Sequence, residues 1–328
     1  MADPQVLSNL SGANNVAQLF TEINAELAEA PYSSELIAPK IAWVRPGAAG
    51  LATLFTLQMV SNAYKRRAAG EPTPVSKVEL AHFKCEVNEL DPDAYFLSTL
   101  DLQGDVYGAV KPNLPQILNR AMLAMDQELA ATICANPVTV YDSLAYWQTS
   151  ALHPYNPMRP ELGKFANKFA STNISRANLT KALDYFTKMK GFDGQIERKP
   201  GVINIVTSTK DQASRARKFI QEGLIASDAG TASENTTLKD EFGEVIVFPE
   251  LGDASKGGDP KNWLAVRAAS EMDRPFVVNA PKVPQSYIDG LNPSDYSRVV
   301  HRGARYGWRA TVGAGGLWPQ NGVMFVET

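Results

Sequence analysis

The chain has 328 residues, of which 44% are hydrophobic, enough to build more than one core. The formal net charge is only −3, which argues against a sequence-reading DNA-binding protein, because such proteins carry a strong basic surface. Two cysteines, Cys85 and Cys134, are too few for a disulfide framework, and no apolar run reaches the ~20 residues of a membrane span. The composition predicts a soluble globular protein that is made and used inside a cell.

The first forty residues predict an arm that leaves the body of the protein. A short apolar stripe through Val16, Leu19 and Ile23 indicates one helix, and prolines follow it. We therefore assign 1–40 to an N-terminal arm.

Residues 48–84 predict a long two-stranded hairpin that has no core of its own. The runs 51–59 and 75–83 place apolar side chains on one face, as strands do. The segment between them, 61–74, is too long for a tight turn and is rich in charge, Gly and Pro. A two-stranded ribbon is marginally stable alone, so the hairpin either folds onto its own domain or projects and rests on a neighbouring copy. From these residues alone, the internal hairpin is the default interpretation.

The most regular helix is predicted at about 112–135. Apolar residues recur there at spacings of three and four from Leu114 to Ile133, and prolines stand only at the start. We expect this helix to form the spine of a domain, with a sheet packed on one side. The following segment, 136–170, contains several prolines and little regularity, which predicts a packed, extended connection.

From residue 171 the pattern changes to alternating helices and strands. Ser175 predicts a helix N-cap, and the strand 202–207 leads into a helix at about 210–222 that Ser208 or Thr209 caps. Further strands are predicted at 244–248, 263–266, 276–278, 306–312 and 322–326. We interpret residue 171 as a domain boundary and expect the last two strands to return to the first domain.

No motif predicts an active site, a metal site or a cofactor site. The three histidines, His82, His153 and His301, are too far apart for a local metal motif. His82 and Cys85 are three apart on a predicted strand and face opposite sides, so we interpret them as an exposed histidine and a buried thiol. The Gly-rich run 313–316 is not followed by a helix, and we interpret it as a turn.

Two basic runs are candidates for contacts with carboxylates or phosphates. The first lies at the predicted hairpin tip, and the second, Arg302, Arg305 and Arg309, lies near the C-terminus. Arg305 and Arg309 share a face if the segment is extended, whereas Arg302 points to the other face. We favour ion pairs between copies of the chain over nucleic acid for both runs. The expected interface residues are Tyr64, Lys65, Arg66, Arg67, Lys77, Glu79, Arg302 and Arg305.

The order of these elements is that of a tailed-phage major capsid protein. The chain resembles the Hong Kong 97-type fold, and in detail it is similar to the major head subunit family of Mu-like phages. The segments that carry the resemblance are 147–157, 179–183, 203–220, 244–251 with 262–263, and 301–307. The resemblance covers roughly residues 110–328 by pattern and the rest by the order of elements.

The resemblance implies an α+β capsid fold and a division of the chain into five parts. These are an N-terminal arm (1–40), an extended loop (41–90), a peripheral domain with the spine helix (91–170), an axial domain (171–300) and C-terminal strands returning to the peripheral domain (301–328). The hairpin would lie over the adjacent subunit. Some shells of this fold are cross-linked through a lysine of this loop, where Lys65 and Lys77 lie. No partner asparagine can be matched, so we predict no cross-link.

The implied function is structural and not enzymatic: hexamers and pentamers of an icosahedral shell that encloses double-stranded DNA. Implied partners are further copies of the chain, a separate scaffolding protein because no long scaffolding segment precedes the arm, a portal, a possible decoration protein, and DNA held by weak non-specific contacts. Assembly is expected in the bacterial cytoplasm, without a membrane, and the final location is the virion capsid. The alternatives are an encapsulin-type nanocompartment shell, a tail or baseplate protein, and an α/β enzyme with a carboxylate-based site between its domains.

Overall fold

The fold is given by a computed structural model. It describes residues 21, 25, 36–46, 54–59, 79–90, 95–98, 116, 119–121, 123–170, 172–196, 201–221, 238–268, 270–290, 294 and 296–327. The predicted arm lies almost wholly outside the described residues, as does the predicted hairpin tip. None of the helices in the described part is both long enough and apolar enough to cross a membrane.

The described elements are five α-helices and fourteen strands. The helices are α1 Ala38–Ile41, α2 Ala124–Ala135, α3 Arg176–Thr187, α4 Lys210–Gln221 and α5 Tyr296–His301. The strands are β1 Ala42–Pro46, β2 Leu54–Met59, β3 Glu79–Lys84, β4 Glu86–Leu90, β5 Tyr95–Ser98, β6 His153–Pro154, β7 Lys164–Phe165, β8 Lys168–Phe169, β9 Val202–Thr207, β10 Phe242–Val247, β11 Asn262–Ala268, β12 Phe276–Asp289, β13 Gly303–Gly316 and β14 Gly322–Val326.

The first sheet is built on a long antiparallel pair, β12 and β13, each of 14 residues. Strand β1 adds to β12 in parallel, and β4 and β5 pair with successive parts of β13. Helix α2 packs against β13 and buries Met125, Leu129 and Ile133, which recur at a spacing of four. The predicted spine helix with a sheet on one side is therefore present from Ala124 onward.

The second sheet has the order β10-β9-β11-β14-β8. Helices α3 and α4 share a core with it, in which Leu179 and Phe186 of α3 join Trp263 of β11. The predicted caps are also present: Ser175 accepts a hydrogen bond from the Asn178 backbone N at 3.3 Å, and Thr209 Oγ1 accepts one from the Gln212 N at 3.2 Å.

The two sheets divide the chain at different points from the predicted boundaries. Strand β12 lies in the first sheet, although the range 171–300 was assigned to the axial domain. Of the last two strands, β13 returns to the first sheet as expected, but β14 pairs with β11 and β8 in the second sheet. Alternation along a strand shows which face is buried but not which strand lies beside it, so the pattern gave no information on these partners.

The glycine run 313–316 is part of strand β13, so its interpretation as a turn was wrong. A Cβ atom on Gly313 would collide with the backbone carbonyl of Glu86, and one on Gly315 would collide with that of Lys84. Glycine is needed here because the neighbouring backbone approaches too closely for any side chain.

Residues 136–169, which we call the connector, link the two sheets. They contain only the two-residue strands β6, β7 and β8 and one short 3₁₀ turn, which confirms the predicted irregular connection. The buried Asn167 side chain donates to the carbonyls of Tyr146 (2.8 Å) and Pro319 (3.2 Å). The backbone carbonyl of Asn167 accepts a hydrogen bond from the backbone N of Met324 in β14 at 2.8 Å. A buried polar side chain whose hydrogen-bonding groups all have partners favours a single conformation of the surrounding chain.

Candidate subunit interface

The predicted hairpin is present, with β2 and β3 paired from Leu54 opposite Lys84 to Met59 opposite Glu79. Glu79, one of the expected interface residues, is thus the last described residue of β3 on the side of the tip. The other hairpin candidates, Tyr64, Lys65, Arg66, Arg67 and Lys77, lie outside the described residues.

The base of the hairpin is anchored to the body of the same chain. Phe83 of β3 is only 1% exposed; its ring centroid lies 4.5 Å from that of Trp318, edge to face, and 6.0 Å from that of Tyr141, stacked. Ala81 is buried in the same cluster. The hairpin base therefore has no core of its own, as expected, and packs on the connector and the C-terminal region of the same chain, which is the internal arrangement that the residues alone favoured.

The opposite side of the hairpin base faces solvent. Leu80 is 48% exposed, and His82 is exposed with its Nδ1 atom 2.9 Å from Thr56 Oγ1 across the strands.

Cys85 is fully buried, and burial raises the pKa of its thiol to about 11. A thiol that stays protonated is a poor nucleophile, so the interpretation of an exposed histidine and a buried structural thiol is confirmed.

The first sheet carries α2 on one face and exposes two arginines on the other. Arg305 and Arg309 of β13 are both exposed and share that face, as predicted. The Arg309 guanidinium lies 4.3 Å from the centroid of the Tyr287 ring on β12. Arg302 does not belong to the strand: it precedes β13 in a left-handed conformation (φ 53°), so its predicted position on the opposite face of an extended segment was wrong.

An apolar patch occupies the same end of the first sheet. Tyr296, Val299 and Val300 of α5 are 71%, 66% and 51% exposed, and Phe96 of β5 is 53% exposed. Tyr296, Val299 and Val300 share one face of α5, which leads directly into β13, and Phe96 belongs to β5, which pairs with the first residues of β13. We call these four residues the end patch. Clustered exposed apolar side chains mark contact surfaces between proteins. The sequence interpretation missed them, since neither α5 nor β5 was predicted.

Asp126 connects the spine helix to the last residues of the predicted arm. Its carboxylate accepts hydrogen bonds from the backbone N of Ile37 (3.0 Å) and Ala38 (2.7 Å), at the start of α1. Burial raises the pKa of this carboxyl, and the two backbone bonds offset only part of the effect. The spacing of 88 positions left no local signal for this contact in the sequence.

A groove of about 460 Å³ runs between α2, β4 and the connector. Its walls include Ala131, Val138 and Gly315, and Glu128 lies in it with a pKa raised by burial. Within the described ranges, no three His, Cys, Asp or Glu side chains are grouped so that they could hold a metal ion.

Comparison with known proteins finds similarity in structure and not in sequence. No protein-family model matches the chain, and no curated protein matches it. A chain from the capsid structure of the cyanophage P-SCSP1u is similar with a TM-score of 0.51 and 12% identity, over 89% of this chain and 88% of that chain. A chain from the procapsid of bacteriophage JBD30 gives a TM-score of 0.47 and 12% identity, over 96% of this chain and 76% of the other. A virus-like particle from Pyrococcus furiosus gives 0.44 and 13%, over 94% and 99%. The mixed α+β architecture of this chain thus resembles that of phage capsid proteins.

Proposed function

We propose that the chain is a major capsid protein of a tailed phage, with the Hong Kong 97-type fold and similar in detail to the head subunits of Mu-like phages. The observation that carries the proposal is the likeness to the cyanophage capsid chain over nearly the whole length of both chains. In this assignment 41–90 is the extended loop, and the first and second sheets are the centres of the peripheral and axial domains. The chain forms hexamers and pentamers of an icosahedral shell around double-stranded DNA.

The surfaces of the first sheet support this role. The hairpin is anchored at its base, and its other end continues into 60–78, where the basic run is. The end patch and the exposed pair Arg305 and Arg309 add apolar and charged surface of the kind that contacts another protein. We assign to contacts between copies the residues Tyr64, Lys65, Arg66, Arg67, Lys77, Glu79, Arg302 and Arg305.

The remaining partners follow from this role. A separate scaffolding protein guides assembly, a portal occupies one vertex, and a decoration protein is an optional addition. A net charge of −3 suits a container that touches its DNA weakly and without sequence preference. The chain assembles in the bacterial cytoplasm and resides in the virion capsid.

Electron microscopy of the purified protein, with light scattering for mass, tests the proposal. We expect closed shells or ring-shaped capsomers, on its own or after co-expression with its scaffold. A small monodisperse oligomer under both conditions contradicts it. Shells that carry a copurifying enzyme as cargo would instead indicate an encapsulin-type nanocompartment.

Deletion of 62–74 tests the role of the hairpin tip. We expect a folded subunit with the wild-type circular dichroism spectrum and melting temperature but without assembly, because the tip contacts other copies. The matched control is deletion of 228–236, a polar segment between α4 and β10, which should assemble. Loss of folding in the first deletion would show that the hairpin tip is internal.

A further inference from the structure

A fully buried histidine in the connector is held between two hydrogen-bond acceptors. His153 is 0% exposed; its Nδ1 lies 2.5 Å from Asp142 Oδ2 and its Nε2 lies 3.0 Å from the carbonyl oxygen of Tyr146. A carbonyl oxygen only accepts, so Nε2 carries a proton and donates it to Tyr146. The state of Nδ1 then depends on Asp142.

The surroundings of Asp142 favour its ionised form. Its Oδ1 atom accepts from Thr139 Oγ1 at 2.7 Å and from the backbone N of Leu144 at 3.1 Å. Burial opposes ionisation, but the hydrogen bonds from His153 and Thr139 and the charge of His153 outweigh it and lower the pKa of Asp142. A carboxylate also only accepts, so Nδ1 carries a proton as well and the His153 ring is an imidazolium. The attraction between the two buried side chains therefore depends on the proton at Nδ1 of His153.

The Asp142–His153 pair is next to Tyr141, one of the residues on which the hairpin base packs. Tyr141 precedes Asp142, and its hydroxyl donates to the carbonyls of Pro154 (3.2 Å) and Tyr155 (2.8 Å), which follow His153. These bonds close a small loop between Tyr141 and Tyr155. The Tyr141 ring of this loop stacks on Phe83 of β3. The Asp142–His153 pair therefore closes the loop that presents Tyr141 to the hairpin.

We propose that the Asp142–His153 pair is a proton-dependent latch that holds the base of the hairpin against the body. When the ring loses its Nδ1 proton to solvent, a lone pair faces the Asp142 carboxylate at hydrogen-bond distance and the attraction becomes repulsion. The loop then loosens, and Tyr141 no longer supports Phe83. The latch is closed while the ring carries both protons and opens when the ring loses one.

The other titratable groups around the pair do not supply this proton. The hydroxyls of Tyr141 and Tyr146 have pKa values raised well above the ordinary range by burial. Lys164 of β7, the strand paired with β6, is exposed. On the hairpin itself, Lys84 is ion-paired with Glu86, and His82 is exposed and contacts Thr56. His82 needs a control, because it is a histidine on the strand to be measured.

Hydrogen exchange of the β3 amides as a function of pH tests the latch in the full chain. Protection is expressed relative to the intrinsic exchange rate at each pH, with the amides of β9 as an internal reference. In the wild type we expect β3 protection to fall at least tenfold as the pH rises and the ring loses its Nδ1 proton, while β9 protection stays constant. Exposed His82 is replaced in H82Q, and this variant should behave like the wild type.

The variant D142N distinguishes the latch from any other cause. The side-chain amide introduced in D142N can donate to a neutral Nδ1, its oxygen keeps the Thr139 and Leu144 bonds, and Nε2 still donates to Tyr146. The same bonds then form without the extra proton, so β3 protection in D142N should no longer depend on pH. A flat wild-type profile, a D142N profile equal to the wild-type one, or loss of the dependence in H82Q would each overturn the proposal.

A measurement on the wild type alone tests the latch even if the D142N variant does not fold. Nitrogen-15 NMR of the chain with labelled histidine reports whether each ring nitrogen of His153 is protonated. At a pH where β3 is fully protected, two protonated nitrogens are expected. A single protonated nitrogen would show that the ring is neutral and would refute the latch.

Discussion

The two sheets differ in how completely this chain buries them. In the second sheet, β9 and β11 are buried almost from end to end, with α3 and α4 completing the core. The first sheet has α2 on one face, exposes arginines on the other, and carries the end patch and the hairpin. The core of the second sheet is thus complete within one chain, whereas the first sheet has exposed surface that other molecules can cover. The predictions below test this difference.

The largest effect is expected from Trp263→Ala in the second sheet. Trp263 is fully buried, its ring stacks on Phe325 at 4.1 Å, and its Nε1 donates to the Thr172 carbonyl. We expect a loss of about 3–5 kcal/mol in the free energy of unfolding, measured by urea denaturation. A loss below about 1 kcal/mol would contradict the view that this sheet depends on an internal core.

A smaller and more local effect is expected from Phe83→Ala at the hairpin base. Because Phe83 packs on Tyr141 and Trp318 at the edge of the body, its removal should cost about 2–3 kcal/mol and release β3 first. Hydrogen exchange should increase in β3 and remain unchanged in β9. Leu80→Ala is the matched control, since Leu80 is on the exposed side of the same strand. Equal increases in both strands would mean that the hairpin unfolds only with the whole molecule.

The pH dependence of stability tests the contact between α2 and α1. The folded-state pKa of Asp126 is raised, so the folded chain binds its proton more tightly than the unfolded chain. Stability should therefore decrease as the pH rises through the interval between the unfolded value, 3.8, and the raised folded value. We expect D126N to flatten this dependence and to change stability at neutral pH by only about 1 kcal/mol. A steeper dependence in D126N would contradict this assignment.

The smallest effect on stability and a large effect on assembly are expected from the end patch. Val299→Asp removes exposed apolar surface, so the free energy of unfolding of the isolated chain should change by less than about 0.5 kcal/mol. Assembly, followed by light scattering, should fail. Ile196→Asp, on an exposed residue elsewhere, is the control that should assemble. Normal assembly of V299D would remove the end patch from the proposed interface.

The elements that sequence reasoning found are those with strong local signals. Strand β9 is a short run of mostly β-branched apolar residues, α4 starts at a Thr cap, and α2 repeats its apolar residues at helical spacing. Of the candidate interface residues, Arg305 was placed correctly because alternation along a strand is a local property. Arg302 was not, because its left-handed backbone ends α5, a helix that has no clear pattern.

The elements that sequence reasoning missed depend on contacts between distant residues. The glycines at 313–316 look like a turn until β4 is placed beside them, and β14 looks like a partner of β13 until its pairing with β11 is known. The Asp142–His153 pair has the same origin, because nothing in the spacing of 11 positions shows that both side chains turn inward.

By itself, the sequence determined the local elements of this protein, the order in which they follow one another and, through that order, the resemblance to a capsid fold. Only the tertiary structure decided which strands share a sheet, which glycines must remain glycine, and which polar side chains meet in the interior. The physical reason is range: helix caps and apolar periodicity act over a few residues. Strand pairing and buried polar contacts instead join residues that only the folded chain brings together, 11 positions apart for Asp142 and His153 and 88 apart for Ala38 and Asp126.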